Sequence, residues 1–400
     1  MLDLIGVVVA FVIIVALRLR NVDFSVSLLT GSLLIVVTSS EPVGILIDSV
    51  TSTLTDPSTW NLTVAVALIT VLGYVLKETD LISELIVGLR SVVPSSVLMA
   101  VIPAIFGLFA MPGGALISAP FNEPEADRLG LRPEHKTYIN IWFRHLWYWA
   151  SPTAPLAILA TTIACLDLNA FLFAQLPIFA FTVGLGLVVS RSFIKRDEVA
   201  GAPVKGNNGI VKGLIPIVTI LGLSYAGVPL WAAFIVGILS VYLVMKVPTG
   251  DWVTMVVQGV RWDTTAAVVA MLFFRNVVSA SGSVASLLVS VTEMGVPLIV
   301  LFVVTPLLVG SISGTASMGA AIVLPLLMPF CGSSVHLVSV IYAGIIAGYM
   351  ASPLHLCLIL TNSYYKSELG RVYRYLVPSM AFLYVVAVVY HLTMYGGLPV

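Results

Sequence analysis

Few side chains in this 400-residue chain could do chemistry, and most of those that could stand in apolar surroundings. Two stretches gather them: residues 148–159 read YWASPTAPLAIL, and residues 349–360 read YMASPLHLCLIL. Each places a serine and a proline in the middle of a run long enough to cross a bilayer, and the second adds His355. Proline removes a helical donor and clashes with the preceding turn, so both runs are expected to unwind, at 150–153 and 351–354. In hydrocarbon every backbone N–H and C=O needs a partner, so such a break survives only inside protein or beside water. Freed carbonyls suit Na+, and a helix restarting after the break points partial positive charge at an anion.

Two Gly-rich segments offer the same chemistry. AMPGGAL (110–116) lets backbone approach closely, either for a site or for helix packing, and SISGTASMG (311–319) carries four hydroxyls, on Ser311, Ser313, Thr315 and Ser317. Ionisable residues at membrane depth are functional candidates by default. Arg144, next to His145 in IWFRHLWYW, either meets an anionic substrate or snorkels to pair with a carbonyl. His355 either lines a site or is a hydrogen-bonded apolar-face histidine. Arg275 falls in a span where a structural or interface role is the expectation, and Thr361 and Asn362 are weaker candidates. No carboxylate sits at mid-membrane, and the acidic run at Glu123–Asp127 is expected to be a solvated inner loop. Coupling is therefore open between Na+ on hydroxyls and carbonyls and H+ on His355 or His145.

The elements that must position these residues follow from composition. Apolar residues make up 59% and charged residues 10%, against about 25% charged in soluble domains; the chain is expected to be dissolved in lipid. Zero net charge offers no basic face to nucleic acid. Cys165, Cys331 and Cys357 lack pairing or metal-ligand spacing, so no metal or other cofactor is expected beyond Na+ as a coupling ion. The first apolar run has its arginines after it, as in a retained span rather than a cleaved signal.

The two Ala-Ser-Pro stretches lie 349 − 148 = 201 residues apart. Shifting the chain by 201 aligns 148–181 with 349–382 with ten identities in 34 positions, where apolar composition alone gives about three or four. Neighbouring segments align with small gaps, so the chain reads as two copies of one unit. The first is 1–190, with a hairpin at 95–120 and a broken helix at 137–165. The second is 210–400, with a hairpin at 296–330 and a broken helix at 336–363. The charged stretch 191–209 links them. Each copy has three spans, an amphipathic stretch (80–92 or 283–294), a re-entrant hairpin, a broken span and a last span. Five crossings per copy force the second upside down. With both termini outside and the linker cytoplasmic, seventeen of the nineteen Lys and Arg fall inside and no outer loop receives any. The fold class is thus an all-α polytopic membrane protein of two inverted-topology repeats, the described signature of secondary transporters.

This pattern resembles the ion transporter superfamily of secondary carriers, which includes divalent-anion/sodium symporters and carriers for citrate, gluconate and C4-dicarboxylates. PGGALISAPFNEPEADRLGL and SGTASMGAAIVLP look most like an uncharacterised integral-membrane family, domain of unknown function 401. By motif position the resemblance implies substrate contacts at Pro112, Gly113, Gly114, Ser151, Thr153, Ser313, Gly314, Thr315, Ser352 and His355, joined by Arg144. It implies a cation at Gly113, Ser151, Ser313, Thr315 and Ser352, with Pro152 and Pro353 at the breaks. It further implies a cell-membrane carrier, commonly a homodimer, moving a small organic anion by an elevator motion. Neither hairpin tip has the Ser-Asn-Thr of divalent-anion/sodium symporters. An intramembrane enzyme is the competing class, although neither HExxH nor GxSxG occurs; an anion channel is the third.

Overall fold

The computed structural model describes the chain except residues 1, 21, 109–113, 195–207, 283–294, 296, 314, 333 and 397–400. The described residues are helical and include no strand. In the first half, α1 (Leu2–Leu19), α2 (Phe24–Thr38), α3 (Pro42–Thr55), α4 (Pro57–Glu78) and α5 (Leu81–Arg90) precede a hairpin of α6 (Ser95–Gly107) and α7 (Gly114–Arg128). A broken helix, α8 (Pro133–Arg144) and α9 (Pro155–Ala164), follows, and then α10 (Leu168–Arg191). In the second half, α11 (Asn208–Tyr225), α12 (Leu230–Met245), α13 (Thr249–Gly259) and α14 (Trp262–Ala280) precede the hairpin of α15 (Leu298–Ser313) and α16 (Ala316–Cys331). The broken helix α17 (Val335–Ala351) and α18 (Leu356–Tyr364) and the last helix α19 (Leu369–Tyr395) close the chain. Helices α4, α10 and α19 are each long and apolar enough to cross a bilayer, and α17 with α18 together are as well.

Local chemistry sets several of these boundaries. The Asp23 carboxylate accepts from Ser25 N at 2.8 Å at the start of α2, and Asp167 accepts from Ala170 N at 2.8 Å at the start of α10. Pro42, Pro133 and Pro155 occupy the first helical turn, where a missing N–H costs nothing. Hydroxyls within the helices mostly donate to carbonyls one turn back, as Ser32 does to Leu28 O (2.9 Å) and Thr63 to Thr59 O (2.6 Å). That internal satisfaction removes most membrane-depth Ser and Thr residues from contention as site residues.

The helices form two groups. Helix α14 packs on α2, α3 and α4, while α12 and α13 pack on α4 and α11 packs on α5 and α12, so the two halves of the chain interleave here. The second group contains both hairpins, both broken helices, α10 and α19. Across the halves, α16 packs on α9 and α7 on α18, while α8 meets α19 and α17 meets α10. Two residue pairs matched by the 201 shift touch one another: Phe181 with Phe382 (ring centroids 5.5 Å) and Tyr148 with Tyr349 (6.3 Å). Large aromatics fill the surrounding core, with Trp149 and Phe171 both edge-on to Tyr342.

Two expectations change. The segments 41–57 and 247–261 each hold a short helix, α3 and α13. The first break opens earlier than its proline, because α8 ends at Arg144 and only a 3-10 turn, Leu146–Tyr148, lies between it and residue 149. The run Glu123–Asp127 is not a solvated loop but the last turns of α7, with Glu125 fully buried. Glu125 accepts from Ser95 Oγ at 2.6 Å and lies 3.1 Å from Arg90 Nε, so a buried charge is paired rather than exposed. The second amphipathic stretch, 283–294, and most of the linker, 195–207, lie outside the described residues.

Candidate functional site

Both Ala-Ser-Pro stretches are unwound, and the same device holds each open. Pro152 cannot donate to the Tyr148 carbonyl, which instead accepts the hydroxyl of Tyr342. The Ala150 carbonyl accepts from Tyr225 Oη at 2.5 Å. At the second break the Tyr349 carbonyl accepts from Ser352 N at 3.1 Å. Ser151 Oγ accepts from Thr153 N at 3.2 Å, and Ser352 Oγ from Leu354 N at 3.0 Å. Each serine therefore caps its own break two residues on.

Each break is also tied to the hairpin preceding it. Thr153 Oγ1, 2.6 Å from Ser151 Oγ, donates to Leu108 O at 3.1 Å, and Ser352 Oγ donates to Ser311 O at 2.5 Å. The hairpin arms come close because glycine faces backbone. A Cβ on Gly107 would stand 2.0 Å from Arg144 O, and one on Gly310 would stand 2.5 Å from Ile345 O. Arg144 and Ile345 are counterparts under the 201 shift, so the same close approach is built twice.

At the second tip, Ser313 Oγ donates to Thr315 O (3.0 Å), and Thr315 Oγ1 caps α16 by accepting from Met318 N (3.3 Å). Ser313, Thr315 and Ser352 thus belong to one neighbourhood, while Ser151 and Thr153 adjoin the end of α6. Gly114 opens α7; Pro112, Gly113 and Gly314 lie outside the described residues.

A cavity of about 200 Å³ separates the two helix groups. Pro155, at the start of α9, shares it with Thr315 and Ser317, at the start of α16; Leu62 and Val66 of α4 and Met271 of α14 form the opposite wall. The starts of two helices thus border one small space. Beside it lies an open crevice of about 620 Å³, which shares Leu62 and is lined by Asp56, Asn61, Thr161, Asp167 and Arg275 among others. Arg275 therefore stands in the crevice wall, its Nη2 3.3 Å from Cys165 Sγ, rather than in a scaffold interior. Arg144, His145, Ser151, Ser352 and His355 do not line the smaller cavity.

Those residues instead surround the contact between the breaks. The His145 and His355 rings meet edge to face at 4.8 Å, and Tyr349 lies 4.1 Å from His355. The ligand atoms of His145, His355 and Cys357 fall within 4.8 Å of one another, and these three residues could hold a metal ion.

Sequence reasoning missed two buried polar chains. Ser118 Oγ donates to Asn140 Oδ1 (2.8 Å), and Asn140 Nδ2 donates to Ala115 O (3.0 Å) and Thr361 Oγ1 (3.2 Å), joining α7, α8 and α18. Gln175 Nε2 donates to Ser339 Oγ (2.5 Å), with His391 Nε2 3.3 Å from Gln175 Oε1 and His336 Nδ1 3.2 Å from His391 Nδ1. Asn140 and Gln175 are polar residues in apolar runs, the one signal that could have flagged them; their partners come from helices far along the chain.

The same architecture occurs in a solved transporter. The crystal structure of the Alcanivorax borkumensis YdaH transporter, described as having an unusual topology, matches with a TM-score of 0.66 over 90% of each chain at 14% identity. At that identity the likeness is one of fold. No curated protein matches the sequence. The family described as "Protein of unknown function (DUF401)" matches residues 4–393. With helices apolar enough for several crossings and a match running almost end to end, the chain is a multi-pass membrane protein of the DUF401 family.

Proposed function

We propose that this protein is a secondary active transporter that moves a small organic anion, a carboxylate by its chemistry, across the cell membrane. The observation carrying this reading is the cavity between the helix groups, which is lined by the first residues of both α9 and α16. Each helix start presents roughly +0.5 of an elementary charge, which favours an anion. The volume, about 200 Å³, is below the roughly 300–1,000 Å³ of sites for drug-sized ligands and suits a small solute. Thr315 and Ser317 add hydroxyls, and an open crevice shares Leu62 with the cavity.

The mode of transport rests on the packing. Hairpins and broken helices hold one another, and fewer contacts cross to α4 and α14; this supports an elevator in which the first group moves against the second. The self-touching pairs Phe181–Phe382 and Tyr148–Tyr349 support inverted repeats, as in the ion transporter superfamily. Coupling falls to Na+ near Ser313, Thr315 and Ser352, or to H+ on His145 or His355.

The test is uptake of labelled mono-, di- and tricarboxylates into vesicles holding the purified protein, under imposed Na+ or H+ gradients. Saturable uptake that collapses when the gradient is removed is expected. Thr315→Val is expected to raise KM about tenfold, the equivalent of one lost hydrogen bond to a charged group, and Thr315→Ser to restore it. Conductance without saturation, or no carboxylate uptake under either gradient, overturns the reading.

A further inference from the structure

We propose that His145, His355 and Cys357 form a binding site for one soft transition-metal cation of the Zn2+ class, held where the two helix breaks meet. The inference stands on the side chains at that contact and does not depend on which solute is carried.

The three residues come from both halves of the chain. His145 caps the end of α8, His355 caps the start of α18, and Cys357 sits in the first turn of α18. Nothing in the spacing of 145, 355 and 357 marks a ligand set; only the meeting of the breaks assembles it. Their ligand atoms lie within 4.8 Å of one another. A tetrahedral zinc with bonds of about 2.0–2.3 Å holds its ligand atoms about 3.3–3.8 Å apart, so the side chains need to close by about 1 Å. Side chains beside unwound backbone can make that adjustment.

The hydrogen bonds fit ligation. His145 Nδ1 lies 2.6 Å from the Ile141 carbonyl, which fixes the proton on Nδ1 and leaves a lone pair on Nε2. Metal-bound histidines typically donate their other N–H in this way, to a backbone carbonyl or a carboxylate. His355 is fully buried, and neither ring nitrogen makes a well-formed hydrogen bond; the Met350 backbone offers one nitrogen a weak partner and leaves the other open. A buried ring nitrogen without a partner forfeits about 1–3 kcal/mol, and a metal would occupy the open nitrogen. Cys357 is half-buried, and a thiol gives up its proton when it binds a metal ion. Two nitrogens and one sulfur suit Zn2+ or Cu(I) rather than Na+, Mg2+ or Ca2+, which take oxygen ligands.

Tyr148 and Tyr349 pack around the pair, with Tyr148 5.4 Å and Tyr349 6.0 Å from the His145 ring, so the site is enclosed by these aromatics. An ion there ties one break to the other.

The test uses untagged full-length protein in detergent, in a Cys165→Ser background so that the exposed thiol cannot contribute. Equilibrium dialysis is expected to give one Zn2+ per chain. Co2+ is expected to give tetrahedral ligand-field bands with a sulfur-to-cobalt charge-transfer band. Cys357→Ser, a small change at a half-buried position, removes the charge-transfer band; His145→Gln and His355→Gln each weaken Zn2+ by about 100-fold or more, since even outer-shell changes cost 10–100-fold. Variants are compared only where they elute as a single species. No bound Zn2+ in the parent, a charge-transfer band that survives Cys357→Ser, or equal affinity after His355→Gln in a well-folded sample overturns the proposal.

Discussion

The first and second helix breaks use the same backbone device and spend their side chains differently. In the first, Ser151 and Thr153 hold each other, and of these two only Thr153 reaches the hairpin, at Leu108 O. In the second, Ser352 both caps Leu354 N and reaches the hairpin, at Ser311 O. The first break is buried throughout 149–154, whereas Pro353 and Leu354 are exposed. Position 154 is alanine in the first copy; its counterpart is His355, the group that meets His145. Differences at a few positions make one break a closed structural joint and the other a polar contact. Lipid offers helices no hydrophobic reason to associate, so close backbone packing and hydrogen bonds carry this region.

The largest effect is expected where the two breaks are most alike. Gly107→Ala and Gly310→Ala each push a Cβ into a backbone carbonyl that cannot step aside, so each should lose stability at or above the upper end of the usual 1–3 kcal/mol for overpacking. Gly107, with the shorter approach, should be the worse of the two. Thermal unfolding in detergent, read by size-exclusion profile, checks this; equal tolerance of both would mean that the hairpins do not rest on the breaks.

The intermediate effect separates the breaks. Ser352→Ala orphans both Leu354 N and Ser311 O and should cost about 1–2 kcal/mol, while Ser151→Ala leaves the Thr153–Leu108 bond in place and should cost about half that. The same unfolding measurement ranks them, and a reversed order would remove the distinction drawn above. The smallest effect tests exposure. Leu354→Thr copies the first break's Thr153 into the second at an exposed position and should change stability by less than about 0.5 kcal/mol. A large loss would show that this side of the second break is packed.

Much of the frame was legible because lipid limits what a chain can do. Proline and serine in a 20-residue apolar run have few explanations, so an interruption in each of the two spans could be anticipated. Asp56, Asp167 and Arg275 were visible as charges, yet their sharing of one crevice was not, because that depends on how α4, α9 and α14 lie against each other. Glu125 was misjudged for a related reason. Charge density in FNEPEADR suggests solvent, and only the fold brings Arg90 from 35 residues away to neutralise it.

Composition and the two Ala-Ser-Pro stretches were enough to point to a helical, membrane-embedded chain with two interrupted spans. Those features follow from backbone hydrogen bonding in a medium without water, a local constraint that every segment must meet alone. Tertiary structure decided which groups face one another: Pro155 and Thr315 across one cavity, Asn140 with Thr361, and His145 with His355. Such meetings join residues up to about two hundred positions apart, and no local rule fixes them, because they arise from the docking of one half of the chain on the other.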